Sequence, residues 1–235
     1  LSFKKMEAST KRGKLYLIVG PMFSGKTSEL IRRIGRYKLG GFSCLLIKFA
    51  KDNRYSEENV ASHDGKKMPA IGTLKLMELS DLAVSCDVIG IDETQFFTDA
   101  VPFCEKQLER GKIIVAAGLD ATFKRTGFDS VLNLIPLAHT VDKLSAVCMS
   151  CGSNAAFSKR VGLETEVVVI GGLDKYMAVC RECYKLDCPP KNSPFQEMQA
   201  KNDIKLPESD FLKFKDILSK KVLKYSVSED NSSNL

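Results

Sequence analysis

Residues 20–27, with the sequence GPMFSGKT, combine two glycines, a lysine and a hydroxyl residue at fixed offsets. They fit the pattern G-x-x-x-x-G-K-[ST], in which backbone N–H groups and a helix N-terminus surround phosphate oxygens. Lys26 would reach the β- and γ-phosphates, and the Thr27 hydroxyl would be a ligand of Mg²⁺. The segment therefore predicts a nucleoside triphosphate site made of Gly20, Pro21, Met22, Phe23, Ser24, Gly25, Lys26 and Thr27.

Two adjacent acids, Asp92 and Glu93, end the apolar run 87–93. A carboxylate at the end of a strand beside a phosphate loop commonly holds Mg²⁺ through water, and we assign this role to Asp92. Glu93 would then lie near the γ-phosphate, where it can act as a general base. A solvated acidic turn is the competing interpretation, and it is weaker for a pair of acids that ends a buried strand.

Four of the eight cysteines form two Cys-x2-Cys pairs, Cys148 with Cys151 and Cys180 with Cys183. Four thiolates at this spacing are typical of a tetrahedral zinc site with no open position, so the predicted ion is structural Zn²⁺. The remaining cysteines are interpreted as small apolar or unpaired thiols: Cys44, Cys86, Cys104 and Cys188.

The elements that must position these residues alternate along the chain. Apolar runs typical of strands buried on both faces of a parallel sheet lie at 15–20, 44–50, 87–93 and 112–119. Helical patterns between them lie at 25–39, 74–85 and 99–110. This order predicts an α/β fold with a mostly parallel, RecA-like P-loop sheet. Two short β-like runs, 155–161 and 166–170, predict a small β-rich zinc-binding domain.

The composition divides the chain into a basic flexible tail, the ATP-binding domain, the zinc-binding domain and a C-terminal tail, at 1–13, 14–143, 144–188 and 189–235. Apolar residues at helical spacing in the last part leave two alternatives for 209–224, a short helix or disorder.

The net charge of +6 resides mostly in the N-terminal tail, so the folded part is close to neutral and no nucleic acid is expected as partner. Neither a membrane-length apolar run nor a signal peptide is apparent, which predicts a cytoplasmic protein without a membrane partner. The first residue is Leu1 rather than Met, which leaves a trimmed leading segment open.

Several motifs in the same order resemble the cytosolic-type (type II) thymidine kinases over roughly residues 14–187. They lie at 20–27, 48–55, 88–97, 116–123, 147–151 and 169–183. The resemblance implies Mg²⁺-dependent transfer of the ATP γ-phosphate to the 5′-hydroxyl of thymidine, and of deoxyuridine, in deoxynucleotide salvage. It also implies feedback inhibition by dTTP and a homo-oligomer, either a tetramer or a dimer.

The same resemblance carries roles onto single residues. Glu93 would accept the proton of the 5′-hydroxyl, Asp52 and Arg54 would lie near the phosphates, and Gln95 near the nucleotide. The segment between the cysteine pairs would close as a lasso over the nucleoside. The implied nucleoside contacts are Met22, Phe96, Leu119, Phe123, Phe128, Ser158, Val167, Val168, Val169, Ile170, Gly171 and Tyr176.

Two positions depart from the family pattern. Thr94 replaces an expected Gly, which would stiffen the turn beside the base, and Ser158 replaces an expected Thr. The missing methyl group at Ser158 would loosen discrimination between thymidine and deoxyuridine by ~1 kcal/mol.

Two other functions stay open at this point. One is a RecA-like ATPase whose zinc ribbon acts on DNA; the near-neutral folded part and a zinc segment poor in exposed aromatic and basic clusters argue against it. The other is a kinase for another deoxynucleoside.

Overall fold

The computed structural model describes residues 12–52, 59–61, 67–161, 170–172 and 175–186, all within one compact unit, Leu1–Lys191. Its strands are β1 (Lys14–Gly20), β2 (Cys44–Phe49), β3 (Asn59–Ala61), β4 (Lys67–Pro69), β5 (Ile71–Thr73), β6 (Val88–Ile91), β7 (Ile113–Leu119), β8 (Thr140–Lys143), β9 (Ala146–Val147), β10 (Asn154–Ala155), β11 (Phe157–Arg160) and β12 (Tyr176–Val179). Its α-helices are α1 (Lys26–Leu39), α2 (Ser80–Val84), α3 (Ala100–Glu109), α4 (Asp129–Leu132) and α5 (Arg181–Lys185).

Six strands form one sheet in the order β5-β2-β6-β7-β1-β8, and every pairing in it is parallel. The α/β prediction is thereby confirmed. Parallel strands end at the same edge, so the residues that follow β1, β6 and β7 meet there. Within the described ranges, no helix is long and apolar enough to span a membrane.

The core lies on both faces of this sheet. Leu17 and Val19 of β1 point into one buried cluster, which includes Phe103 of α3. Ile18 points to the opposite face, into a second cluster that includes Ile34 of α1. Because side chains alternate along a strand, burial of consecutive residues requires cover on both faces, as the apolar runs predicted.

The part that carries the cysteines is built differently. β9 pairs with β10 and β11 pairs with β12, each as an antiparallel two-stranded ribbon, and α5 follows β12. The predicted β-run 155–161 corresponds to parts of β10 and β11. Most of the second run, 166–170, lies outside the described residues, as do nearly all of the N-terminal tail and the possible helix at 209–224.

Several element boundaries differ from the sequence predictions. The helix predicted at 74–85 begins as a 3-10 turn, Leu76–Leu79, and continues as α2. The strand predicted at 87–93 ends at Ile91, so both acids belong to the turn after it. Two strands of the main sheet, β5 and β8, were not predicted; β8 is largely exposed and β5 partly so.

Candidate active site

The phosphate-binding loop joins β1 to α1. At Gly20 a Cβ atom would lie 2.5 Å from the carbonyl oxygen of Leu144, so only glycine fits the end of β1. The helix N-cap is Gly25, which has no side chain to bond the first turn, and an anion is the natural partner there. The Lys26 ammonium donates to the Pro21 carbonyl at 2.7 Å, which places its charge over the loop.

The residues predicted to hold Mg²⁺ come together at this edge of the sheet. The Thr27 hydroxyl lies 3.2 and 3.3 Å from the two carboxylate oxygens of Asp92. Asp92 is 8% exposed, and burial, followed by the charge of Glu93, raises the pKa of its carboxyl to about 7. A hydroxyl and a carboxylate side by side are hard oxygen donors, so the pair fits Mg²⁺.

Glu93 occupies an unusual backbone conformation. Its φ of 52° and ψ of 43° lie in the left-handed region, which costs a residue other than glycine about 1–3 kcal/mol. The side-chain amide of Gln95 donates to Oε2 of Glu93. Oε1 of Gln95 accepts from the Leu119 backbone N–H at 2.9 Å. The predicted base is therefore held in a strained turn that is bonded to β7.

The predicted nucleoside contacts fall into small groups. The backbone N–H of Met22 donates to the Ser158 hydroxyl at 2.9 Å, and both residues are buried. The Phe96 ring packs on Phe49 at 5.1 Å between centroids. Phe128 packs against the core of the sheet.

Phe123 and Tyr176 are brought together by a residue that sequence reasoning missed. The Arg160 guanidinium lies 4.1 Å from the Phe123 ring centroid and donates to the Tyr176 hydroxyl at 2.6 Å. Such a guanidinium in a short run of polar residues gives no sequence signal of its own.

The remaining predicted residues are placed only in part. Asp52 donates its backbone N–H to Phe49 O at 2.9 Å, and Ile170 and Gly171 are half-buried. Arg54, Val167, Val168 and Val169 lie outside the described residues.

The four predicted zinc ligands converge. The sulfur atoms of Cys148, Cys151, Cys180 and Cys183 all lie within 4.8 Å of one another. Those of Cys151 and Cys180 are 3.7 Å apart, which matches the ~3.8 Å edge of a tetrahedron with Zn–S bonds of ~2.3 Å. The cluster therefore fits structural zinc.

Matches to known proteins cover the part of the chain that carries these residues. The thymidine kinase family model covers residues 13–184, which include the phosphate loop, both acids and all four cysteines. The chain belongs to the thymidine kinase family. The cytosolic thymidine kinase of Gallus gallus is 52% identical over 173 residues, covering 74% of this chain and 77% of the relative. The cytosolic thymidine kinase of Homo sapiens is 46% identical over 206 residues, covering 82% and 88%. The thymidine kinase of Monkeypox virus is 50% identical over 172 residues, covering 73% and 97%.

In this member of the thymidine kinase family, cations and rings join the loop after β7 to the cysteine region. The Arg125 guanidinium of that loop lies 4.5 Å from the ring centroid of Tyr184 on α5. Within the cysteine region, the Arg181 guanidinium lies 5.1 Å from the ring centroid of Phe157. The Tyr184 hydroxyl donates to the Phe123 carbonyl at 2.7 Å. The Tyr184 and Phe157 rings in these contacts are half-buried, so the expectation that the segment is poor in exposed aromatic and basic clusters stays a prediction.

Proposed function

We propose that the protein transfers the γ-phosphate of ATP to the 5′-hydroxyl of thymidine, giving dTMP and ADP, in deoxynucleotide salvage. Deoxyuridine is a second acceptor. The observation that carries the proposal is the match to the thymidine kinase family, which spans the phosphate loop and the cysteine cluster alike. The contact between Thr27 and Asp92 supports phosphoryl transfer independently, because it places a metal-binding pair beside the loop.

The reaction divides among few side chains. Glu93 accepts the proton of the 5′-hydroxyl, whose oxygen attacks the γ-phosphorus as the bond to the β–γ bridging oxygen of ATP breaks. Lys26 balances the negative charge that spreads over the transferred group. Thr27 and Asp92 would hold Mg²⁺, which would supply positive charge to the β- and γ-phosphates. Asp52 and Arg54 complete the phosphate end.

The nucleoside end is apolar with polar margins. Met22, Phe96, Leu119, Phe123 and Phe128 line the thymine slot, with Ser158 beside the 5-methyl group. Tyr176 bonds the sugar. The backbone of residues 167–171, namely Val167, Val168, Val169, Ile170 and Gly171, bonds the base when the lasso closes.

The four cysteines hold a structural zinc ion in this proposal, because four sulfur ligands leave no position for substrate. The family resemblance further supports dTTP as a feedback inhibitor and a homo-oligomeric state, dimer or tetramer. Two relatives are named cytosolic, which supports the cytoplasm as the location.

The decisive experiment measures ADP formation with thymidine, deoxyuridine, deoxycytidine, deoxyadenosine or single-stranded DNA as the added component. We expect turnover with thymidine and, more weakly, deoxyuridine. Turnover that requires DNA would replace the proposal with a DNA-dependent ATPase. Turnover only with deoxycytidine or deoxyadenosine would retain the kinase and change its acceptor.

Glu93→Gln tests the assigned base. The amide keeps the shape of the side chain but cannot accept the proton, so we expect kcat to fall by ~10²–10⁴ with little change in the thymidine dissociation constant. A loss confined to thymidine affinity would make Glu93 a binding residue.

A further inference from the structure

The hydrogen-bonded ladder between β6 and β7 ends before β7 does. Its pairs run from Val88 opposite Ile113 to Ile91 opposite Ala116. β7 continues to Leu119, beyond the last residue of β6. At this point the chain leaves β6 and enters the turn that carries Asp92 and Glu93.

Two side chains of the turn continue the bonding along β7. The Thr94 hydroxyl donates to the Ala117 carbonyl at 2.9 Å, with a longer contact of 3.4 Å to the Ile91 carbonyl. The Gln95 Oε1 atom accepts from the Leu119 N–H at 2.9 Å. The side chains thus bond backbone groups of β7 that lie past its ladder with β6.

The turn also presses closely on β7. A Cβ atom at Gly118, between the two bonded residues, would lie 3.0 Å from Gln95 Oε1 and 3.3 Å from Thr94 Cβ. Thr94 is 0% exposed and Gln95 7% exposed, so both anchors are shielded from water. A hydrogen bond in such a place holds its geometry because neither partner has water as an alternative.

Thr94 directly follows Glu93, whose backbone is in the left-handed conformation. The direction of the Glu93 side chain depends on that conformation. Among the described residues, the buried Thr94 hydroxyl bonds only backbone carbonyls, chiefly that of Ala117. The Gln95 side chain, by contrast, also donates to the Glu93 carboxylate. Thr94 has its hydroxyl directed to β7, so it cannot reach substrate.

We propose that Thr94 is a positioning residue, which anchors the turn to β7 and so fixes the direction of the Glu93 carboxylate. The inference rests on the proposed function, in which Glu93 is the base.

The test begins with a matched pair of variants. Thr94→Val keeps the shape and removes the hydroxyl, and we expect kcat to fall about 3- to 10-fold with both KM values within about twofold. Thr94→Ser keeps the hydroxyl and is expected to retain kcat within about twofold. If Thr94→Val does not fold, kcat and the two KM values are measured on Thr94→Ala instead. Equal losses of kcat in the hydroxyl-bearing and hydroxyl-free variants would overturn the proposal.

Thr73→Val controls for the loss of a buried hydroxyl as such. Thr73 lies at the end of β5, and its hydroxyl is 2.9 Å from the Lys75 carbonyl. We expect this variant to melt at a lower temperature than the wild type with kcat unchanged. A fall in kcat as large as that of Thr94→Val would show that general destabilisation explains both, and would overturn the proposal.

A double-mutant cycle shows whether Thr94 acts through Glu93. In the Glu93→Gln background the residual rate no longer depends on the carboxylate, so adding Thr94→Val is expected to change kcat less than about twofold. The same fold-loss in both backgrounds would overturn positioning while leaving the kinase assignment intact. Wild-type kcat in Glu93→Gln alone would overturn the assignment of the base, and this inference with it.

Discussion

The sheet region, β1 to β8 with α1 to α4, and the cysteine region, β9 to β12 with α5, are held together by different forces. The largest fully buried side chains of the described chain, Phe97 and Phe103 among them, all belong to the sheet region. The cysteine region buries mostly small or flexible side chains such as Ala155, Ala178 and Met177. It relies instead on four sulfur atoms and on guanidinium groups stacked over rings.

This difference has a functional meaning. A six-stranded sheet with a core on both faces gives the reacting groups fixed positions, which phosphoryl transfer requires. Two-stranded ribbons are marginal by themselves, and a metal ion bound by the four cysteines would supply stability that a core supplies elsewhere. Under the proposed function, the reacting groups belong to the sheet region, whereas recognition of the acceptor would depend on the cysteine region.

The largest expected effect is a loss of kcat caused by removing a charged side chain of the phosphate loop, which leaves the core of the sheet region intact. Lys26→Ala removes the cation beside the transferred phosphate, and we expect kcat to fall by at least ~10² with the unfolding midpoint nearly unchanged. Lys38→Ala, an exposed lysine in the last turn of α1, is the control and should retain full turnover. Activity above a tenth of wild type in Lys26→Ala would remove the loop from the mechanism.

Next in size is an effect on the core itself. Phe103 of α3 is fully buried among side chains of the sheet, so Phe103→Ala should lower the free energy of unfolding by ~3–5 kcal/mol in denaturant titrations. Leu39→Ala, at a side chain 91% exposed, should change it by less than ~0.5 kcal/mol. Similar losses in the two variants would contradict the view that core burial stabilises this region.

Cys180→Ser weakens the metal cluster and should affect the acceptor more than ATP. Zinc content measured on the purified protein should fall, and the thymidine KM should rise at least ~10-fold with the ATP KM within a few-fold. Cys44→Ser, outside the cluster, should change neither KM. Equal losses for both substrates would show that zinc supports the whole fold and that the two regions are not separable in this way.

The smallest effect concerns one contact of the cysteine region. Tyr184→Phe removes the hydroxyl that donates to the Phe123 carbonyl, and we expect a loss of ~1 kcal/mol in stability with a rise of a few-fold in the thymidine KM. Tyr37→Phe on α1 is the matched change in the sheet region and should leave the thymidine KM unchanged. An unaltered KM in Tyr184→Phe would mean that this contact does not shape the acceptor site.

Sequence reasoning succeeded where burial or spacing imposes a pattern. The apolar runs of β1, β2, β6 and β7 are visible because strands covered on both faces have few polar residues. β8 was not predicted because it is an edge strand, largely exposed to solvent, and such a strand needs no apolar run. The convergence of the four cysteines could be predicted because zinc-binding cysteine pairs follow a few characteristic sequence spacings, Cys-x2-Cys among them.

Tertiary contacts set the rest of the site. The left-handed backbone of Glu93 and the bonds from Thr94 and Gln95 to β7 depend on where β6 ends relative to β7, which no local pattern records. Arg160 lies between Phe123 and Tyr176 because β11 pairs with β12 in one particular register.

The hydrogen bond from the Met22 backbone to the Ser158 hydroxyl joins the loop predicted to bind ATP to the strand predicted to line the thymine pocket. Any free energy that this bond transmits between the two sites must be the same in both directions. If ATP tightens thymidine binding by a given factor through it, thymidine tightens ATP binding by that factor. The order in which the substrates arrive can then change how fast the ternary complex forms, but not how stable it is.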